Sequence, residues 1–176
     1  MNLGRFKTLL ALCGYPQTGP GTGGGSGLKP TRLLAQSSVA ASVTGSTVET
    51  TLASIVVPAN SINANGALRI TTMWSYTNSA NAKTLKLTFG GATFLNQSQT
   101  ATLSNQAQTV IRNRSATNSQ VGFAAAAANQ YSSSGAAPVT ASVDTTQDQT
   151  IALTATLANA GETITLESYT VEVLNP

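Results

Sequence analysis

The sequence predicts an all-β protein, an antiparallel β-sandwich of jelly-roll type, led in by a helical anchor peptide and a Gly-rich tether. Three observations carry this. Apolar side chains recur with period two from about residue 33 onward, turn-forming Asn, Gly and Pro separate the alternating stretches, and a basic, glycine-laden segment of different composition precedes them. The division is therefore an anchor over 1–14, a linker over 15–32 and a sandwich domain over 33–176.

In the first segment, MNLGRFKTLLALCG, Leu3, Phe6, Leu10 and Cys13 fall at spacings of three, four and three, which is one stripe of a short helix. Isolated helices below about 12–15 residues are marginal in water, so this one should order only when docked on an apolar surface. Leu9 and Leu12 add apolar area, and Arg5 and Lys7 add charge. Residues 15–31 then hold six glycines and three prolines. Gly-rich chain spans about 5–6 Å times the square root of its length, giving this tether a reach on the order of 20 Å.

Within the domain, Leu68, Ile70, Thr72, Trp74 and Tyr76 alternate with Arg69, Thr71, Met73 and Ser75, the signature of a strand with one buried face. Leu85, Leu87 and Phe89 repeat it, as do Ile151, Leu153 and Ala155. Ile164 and Leu166 share one phase whereas Tyr169, Val171 and Val173 share the other, which predicts a bulge near Glu167–Ser168. Further strands are expected over 38–43, 48–57, 100–103, 109–112, 120–123 and 139–143, for eight to ten in all. Turn signals lie between them at Pro58–Asn60, Asn63–Gly66, Asn78–Asn81, Gly90–Gly91, Asn113–Asn118 and Ala160–Gly161. The stretch 124–137 has one bulky side chain, Tyr131, and reads as a long loop packed against a neighbouring subunit.

Composition narrows the chemistry. The 176 residues contain no histidine, which removes Ser-His-Asp triads, Cys-His dyads, His-ligated zinc and imidazole acid–base catalysis. Charged residues make up 9%, against about 25% in ordinary soluble domains. Ser, Thr, Asn, Gln, Ala and Gly fill the gap, and the resulting neutral polar surface suits packing against copies or other proteins. Charge is also uneven: the first 48 residues hold four basic and no acidic residues, and the rest is near neutral. No run approaches the roughly 18 apolar residues of a membrane helix, and lone Cys13 has no internal disulfide partner.

Motif by motif, the plain readings prevail. Gly19–Gly24 fits G-x-G-x-x-G formally, yet no strand precedes it and Pro20 interrupts it, so it reads as linker. Asp144 and Asp148 form a weak Ca²⁺ candidate, set against the simpler role of capping backbone N–H groups in a turn. Arg112 and Arg114 are only a pair, without the interleaved aromatics that nucleic-acid binding needs, and a turn accounts for them. The six acids show no spacing that selects a glycosidase pair. No catalytic residue, cofactor or metal is therefore assigned, and no enzyme activity is expected.

The stretches LRITTMWSYTNSANAKTLKLTFGG (68–91) and SVDTTQDQTIALTATLANAGETITLESYTVEV (142–173), about a third of the chain, follow a basic apolar peptide and a glycine tether. Together they resemble tailed-bacteriophage virion accessory proteins of the fibre or decoration type. The resemblance implies a non-enzymatic structural protein of the virion, assembled in the host cytoplasm, whose N-terminal segment docks on capsid, portal, adaptor or tail proteins. It implies a β-sandwich or jelly roll, commonly trimeric, acting as a tail- or head-associated fibre knob. A capsid decoration protein is the near alternative. A second class of function is a carbohydrate-binding, host-attachment module using Trp74, Tyr76 or Tyr131. Trp74 shares a face with Leu68 and Ile70 and reads as core, which leaves Tyr131 as the glycan contact.

Overall fold

Alternation dictates the central strands. In the computed structural model, which describes residues 31–126 and 133–176, Leu68, Ile70, Thr72, Trp74 and Tyr76 line the buried face of one strand. The strands in chain order are β1 (Arg32–Ser37), β2 (Ala41–Thr44), β3 (Thr50–Val57), β4 (Ala67–Tyr76), β5 (Lys83–Phe89) and β6 (Ala92–Gln99). They continue as β7 (Ser104–Asn113), β8 (Gln120–Gly122), β9 (Val139–Ala141), β10 (Gln149–Leu157) and β11 (Thr163–Leu174). No helix occurs among the described residues.

All pairings are antiparallel and form two sheets. The larger runs β1-β11-β4-β7-β8-β9, with β2 sharing the β11 edge, and the smaller runs β3-β10-β5-β6. On β11, β2 faces Thr163–Leu166 while β1 faces Tyr169–Val173. The pairs β2/β11, β3/β10, β4/β7 and β5/β6 nest inside one another, as when one long hairpin is rolled up, and this is jelly-roll topology. β8 and β9 are an insertion between β7 and β10 that widens the larger sheet.

Inward side chains of both sheets meet in one core that includes Leu68, Ile70 and Trp74 of β4, Leu85, Leu87 and Phe89 of β5, and Ile151 and Leu153 of β10. Each fully buried aliphatic or Phe contributes about 1.5–3 kcal/mol relative to exposure. The register of β11 against β4 slips between Leu166 and Ser168, at the predicted bulge, which lets Ile164, Leu166, Val171 and Val173 all face inward. Gly90 and Gly91 close the β5–β6 hairpin with φ of 54° and 81°, the positive pair that a two-residue type I′ turn demands.

Three expectations need correcting. Residues 100–103 form a turn rather than a strand, and the strand lies just before them in β6. A register shift in β6 opposite Leu87/Thr88 sets Phe94 and Leu95 side by side, both buried, which erases the alternation a reader would look for. β1 was not foreseen, being an exposed edge with its own slip between Leu33 and Ala35. Val48, expected in β3, precedes it and is exposed. The helical anchor over 1–14 and most of the linker lie outside the described residues.

Candidate functional site

The loops divide between two ends of the sandwich, and a buried polar cluster ties each end together. At one end, β5 begins with Lys83, which is in phase with Leu85 and Leu87 and is therefore drawn fully inside. Its Nζ donates to Ser79 Oγ at 2.9 Å and to the Ser79 carbonyl at 3.3 Å. Ser79 Oγ in turn donates to Glu162 Oε1 at 2.5 Å, which also accepts from Asn81 Nδ2 at 2.8 Å. Glu162 Oε2 stands 3.6 Å from Lys83 Nζ, an ion pair without a direct hydrogen bond. The hydroxyl of Ser79, the amide of Asn81 and the Lys83 charge hold the Glu162 carboxyl below its ordinary range. Although a serine touches a lysine here, the serine proton is committed to Glu162 and the lysine charge is matched. The cluster joins the 77–82 and 158–162 loops.

At the other end Gln120, almost fully buried, links three segments. Its Nε2 donates to Asn113 Oδ1 at 2.8 Å and to the Val143 carbonyl at 3.0 Å, and its Oε1 accepts from Val143 N at 2.7 Å. Asn113 Nδ2 donates to the Asn63 carbonyl at 2.9 Å, and Thr145 Oγ1 donates to the Thr117 carbonyl at 2.7 Å. The loops 58–66, 113–119 and 142–148 thus share one hydrogen-bonded centre.

Asp144 and Asp148 belong to this end but not to one site. Asp144 Oδ1 accepts from the backbone N and the hydroxyl of Thr146, at 2.9 and 2.6 Å, and these bonds lower its pKa. Asp148 Oδ1 accepts from Ala59 N at 2.7 Å. Among the described residues no three His, Cys, Asp or Glu side chains gather as a metal site.

Trp74 and Tyr76 are buried, which removes both as sugar platforms. Tyr131 and the anchor residues Leu3, Arg5, Phe6, Lys7, Leu9, Leu10 and Leu12 lie outside the described residues.

On the outer faces two ion pairs join neighbouring segments. Arg69 on β4 makes a bidentate pair with Glu172 on β11, at 2.7 and 2.9 Å, which lowers the Glu172 pKa. Ser75 donates to Glu167 beside it. On the smaller sheet Glu49 accepts from Thr154 at 2.7 Å and from Lys86 at 3.1 Å, and both lower its pKa.

Sequence reasoning passed over one feature of the larger sheet. Arg112 on β7 faces Val121 on β8, with Val110 two residues before the one and Phe123 two after the other, so all four share the outer face. With Pro138 they line a hollow of about 310 Å³. Arg112 also borders a second hollow of about 270 Å³, with Thr31, Asn65 and Asn175. The signal was present in V-x-R-x-R and V-x-F, but the turn between them absorbed it.

No protein-family model matches the sequence, and neither does any curated protein. Solved structures with a similar course include dimeric latent PorU from Porphyromonas gingivalis, at 10% identity over 86% of this chain and 14% of that one, with a TM-score of 0.39. Another is the CBM2 module of the evolved Dit of Lactobacillus casei BL23 phage J-1, at 12% identity over 68% and 67% of the two chains and a TM-score of 0.33. The infectious bursal disease virus VP2 subviral particle follows at 13% identity, 82% and 40% coverage and a TM-score of 0.28. This chain spans about one seventh of PorU and two fifths of VP2. At such identities and scores these likenesses carry no inference about what the chain does.

Proposed function

We propose that the chain is a non-enzymatic structural protein of a tailed-phage particle, held to it by residues 1–14 and presenting the jelly roll as a tail- or head-associated fibre knob. One observation supports this above the others. Residues 31–176 carry six basic and six acidic side chains, all six acids are hydrogen-bonded or ion-paired within the body, and the intervening outer faces are rich in Thr, Ser, Asn and Gln, with Val56 and Met73 exposed among them. Sheet faces of mostly small neutral residues repel nothing and pack against copies of themselves at little desolvation cost. A homotrimer is the assembly we assign. A tether reaching on the order of 20 Å favours a projecting knob over a decoration protein, whose arm would lie along the shell.

Two measurements test this. Deleting residues 1–14 should abolish incorporation into particles; incorporation at the wild-type level refutes the anchor. Light scattering of the full chain beside one beginning at Lys29 should give trimers for both. If only the full chain assembles, the N-terminal segment is an oligomerisation element and docking belongs elsewhere.

A further inference from the structure

We propose that the Arg112 hollows form a binding site for an acidic saccharide, a pyranose carrying a carboxylate such as a uronic acid. Three observations converge on it. First, the charge at this place is unmatched: each of the six acids is engaged elsewhere, and among the described residues neither Arg112 nor Arg114 has a carboxylate partner. Of the six basic side chains in residues 31–176, Arg69, Lys83 and Lys86 are ion-paired and Arg32 donates to Ser61 Oγ at 3.0 Å, which leaves the guanidinium of Arg112, two residues before Arg114, as the one that borders both hollows and is open to an external anion. A guanidinium holds a carboxylate through two parallel N–H···O bonds, which a diffuse cation would not do.

Second, the lining is divided. Val110, Val121, Phe123 and Pro138 give an apolar floor on one side of Arg112, while the exposed Asn65 and Thr31 give amide and hydroxyl groups on the other. A pyranose has the same division, with a C–H face that packs on aromatic and aliphatic surface and a rim of hydroxyls that exchange hydrogen bonds. An acidic peptide would use Arg112 but has no rigid ring for the floor.

Third, the scale fits. Hollows of about 270 and 310 Å³ lie just below and just above the lower bound of the roughly 300–1,000 Å³ of ligand pockets, suited to one or two sugar rings rather than to a folded partner. The site also stands on rigid elements: Arg112 is in β7, Val121 is in β8, and the neighbouring Asn113 and Gln120 are fixed by the buried cluster between the loops. This site is independent of the particle reading and stands or falls separately from it.

The test is a titration of the full-length protein with trigalacturonic acid and with its methyl ester, followed by the backbone amide shifts of Arg112, Val121 and Phe123. The acid should bind with a Kd of about a millimolar and move these three amides, with the ester at least tenfold weaker. Arg112→Gln should weaken the acid at least tenfold, Arg112→Lys by less, and Lys86→Gln on the opposite sheet should change nothing. Circular dichroism confirms that each variant is folded, and Arg112, being exposed, has no role in the core. Equal affinity for acid and ester, retention of binding by Arg112→Gln, or no shift at 20 mM overturns the proposal. Triglutamate moving the same amides more strongly than trigalacturonate would make the occupant a peptide and overturn the saccharide assignment.

Discussion

Replacing Gln120 with Ala tests whether the hydrogen-bonded centre between the loops holds the fold together. The side chain is 1% exposed and makes three contacts of 2.7–3.0 Å, two of them with the backbone of Val143. Its removal leaves the Val143 N–H, the Val143 carbonyl and Asn113 Oδ1 without that partner in a buried setting. Each such loss costs about 1–3 kcal/mol. The losses are not additive, because neighbours relax and Asn113 keeps its bonds to Asn63 and Thr145, so about 3–5 kcal/mol is the expected total. For a domain of this size 1 kcal/mol moves Tm by about 2–4 °C, giving a fall on the order of 10–15 °C by scanning calorimetry. Gln147→Ala, on an exposed side chain in the same region, should stay within about 0.5 kcal/mol of wild type. A Gln120→Ala protein melting within 2 °C of wild type would refute the reasoning and show that the loops are held by their backbone bonds alone.

Gly90→Ala should cost well over twice as much as Gly91→Ala in urea melts. Both have positive φ, which alone costs about 1–2 kcal/mol, but a Cβ on Gly90 meets Val143 Cγ1 at 2.4 Å whereas one on Gly91 meets nothing within 4 Å. Equal costs would mean that strain alone acts. Acid should destabilise the fold through carboxylates whose pKa is lowered, namely Glu49, Asp144, Glu162 and Glu172. A depressed folded-state pKa gives stability that is present above the unfolded value, 4.5 for Glu162, and lost as pH falls through the folded one. Stability should be level from pH 6 to 8, since the chain has no histidine, and should drop below about 4.5. Glu162→Gln should shallow that acid limb in pH-dependent urea melts; an unchanged slope would remove Glu162 from the account.

Strong alternation was readable wherever a strand kept one apolar phase, as in β4, β5 and β10, and even the β11 bulge followed from the phase change after Leu166. What escaped is polar chemistry turned inward. In β7 the inward positions pairing with Trp74, Thr72 and Ile70 are Asn105, Ala107 and Thr109, so its first half carries no apolar period. Lys83 could have been found, because a strand extended back from Leu85 with period two must bury it. Gln120, Asn113 and Thr145 could not, since nothing local distinguishes a buried amide from a solvated one; their partners arrive from loops 50 or fewer residues away in sequence.

The distribution of charge separates the parts of the chain more sharply than composition alone suggests. Residues 31–176 are formally neutral, so the whole net charge of +3 resides in Arg5, Lys7 and Lys29, ahead of the body. Two neutral bodies neither attract nor repel at long range, so their association depends on contact area and shape and should respond weakly to salt. The leading segment, by contrast, feels any anionic surface within a Debye length of about 8 Å at physiological ionic strength. On the proposed reading, assembly of the knob and attachment to the particle are therefore set by different forces. Salt would weaken attachment through Arg5 and Lys7 while leaving the jelly rolls associated, so the two steps can be tuned independently within one chain.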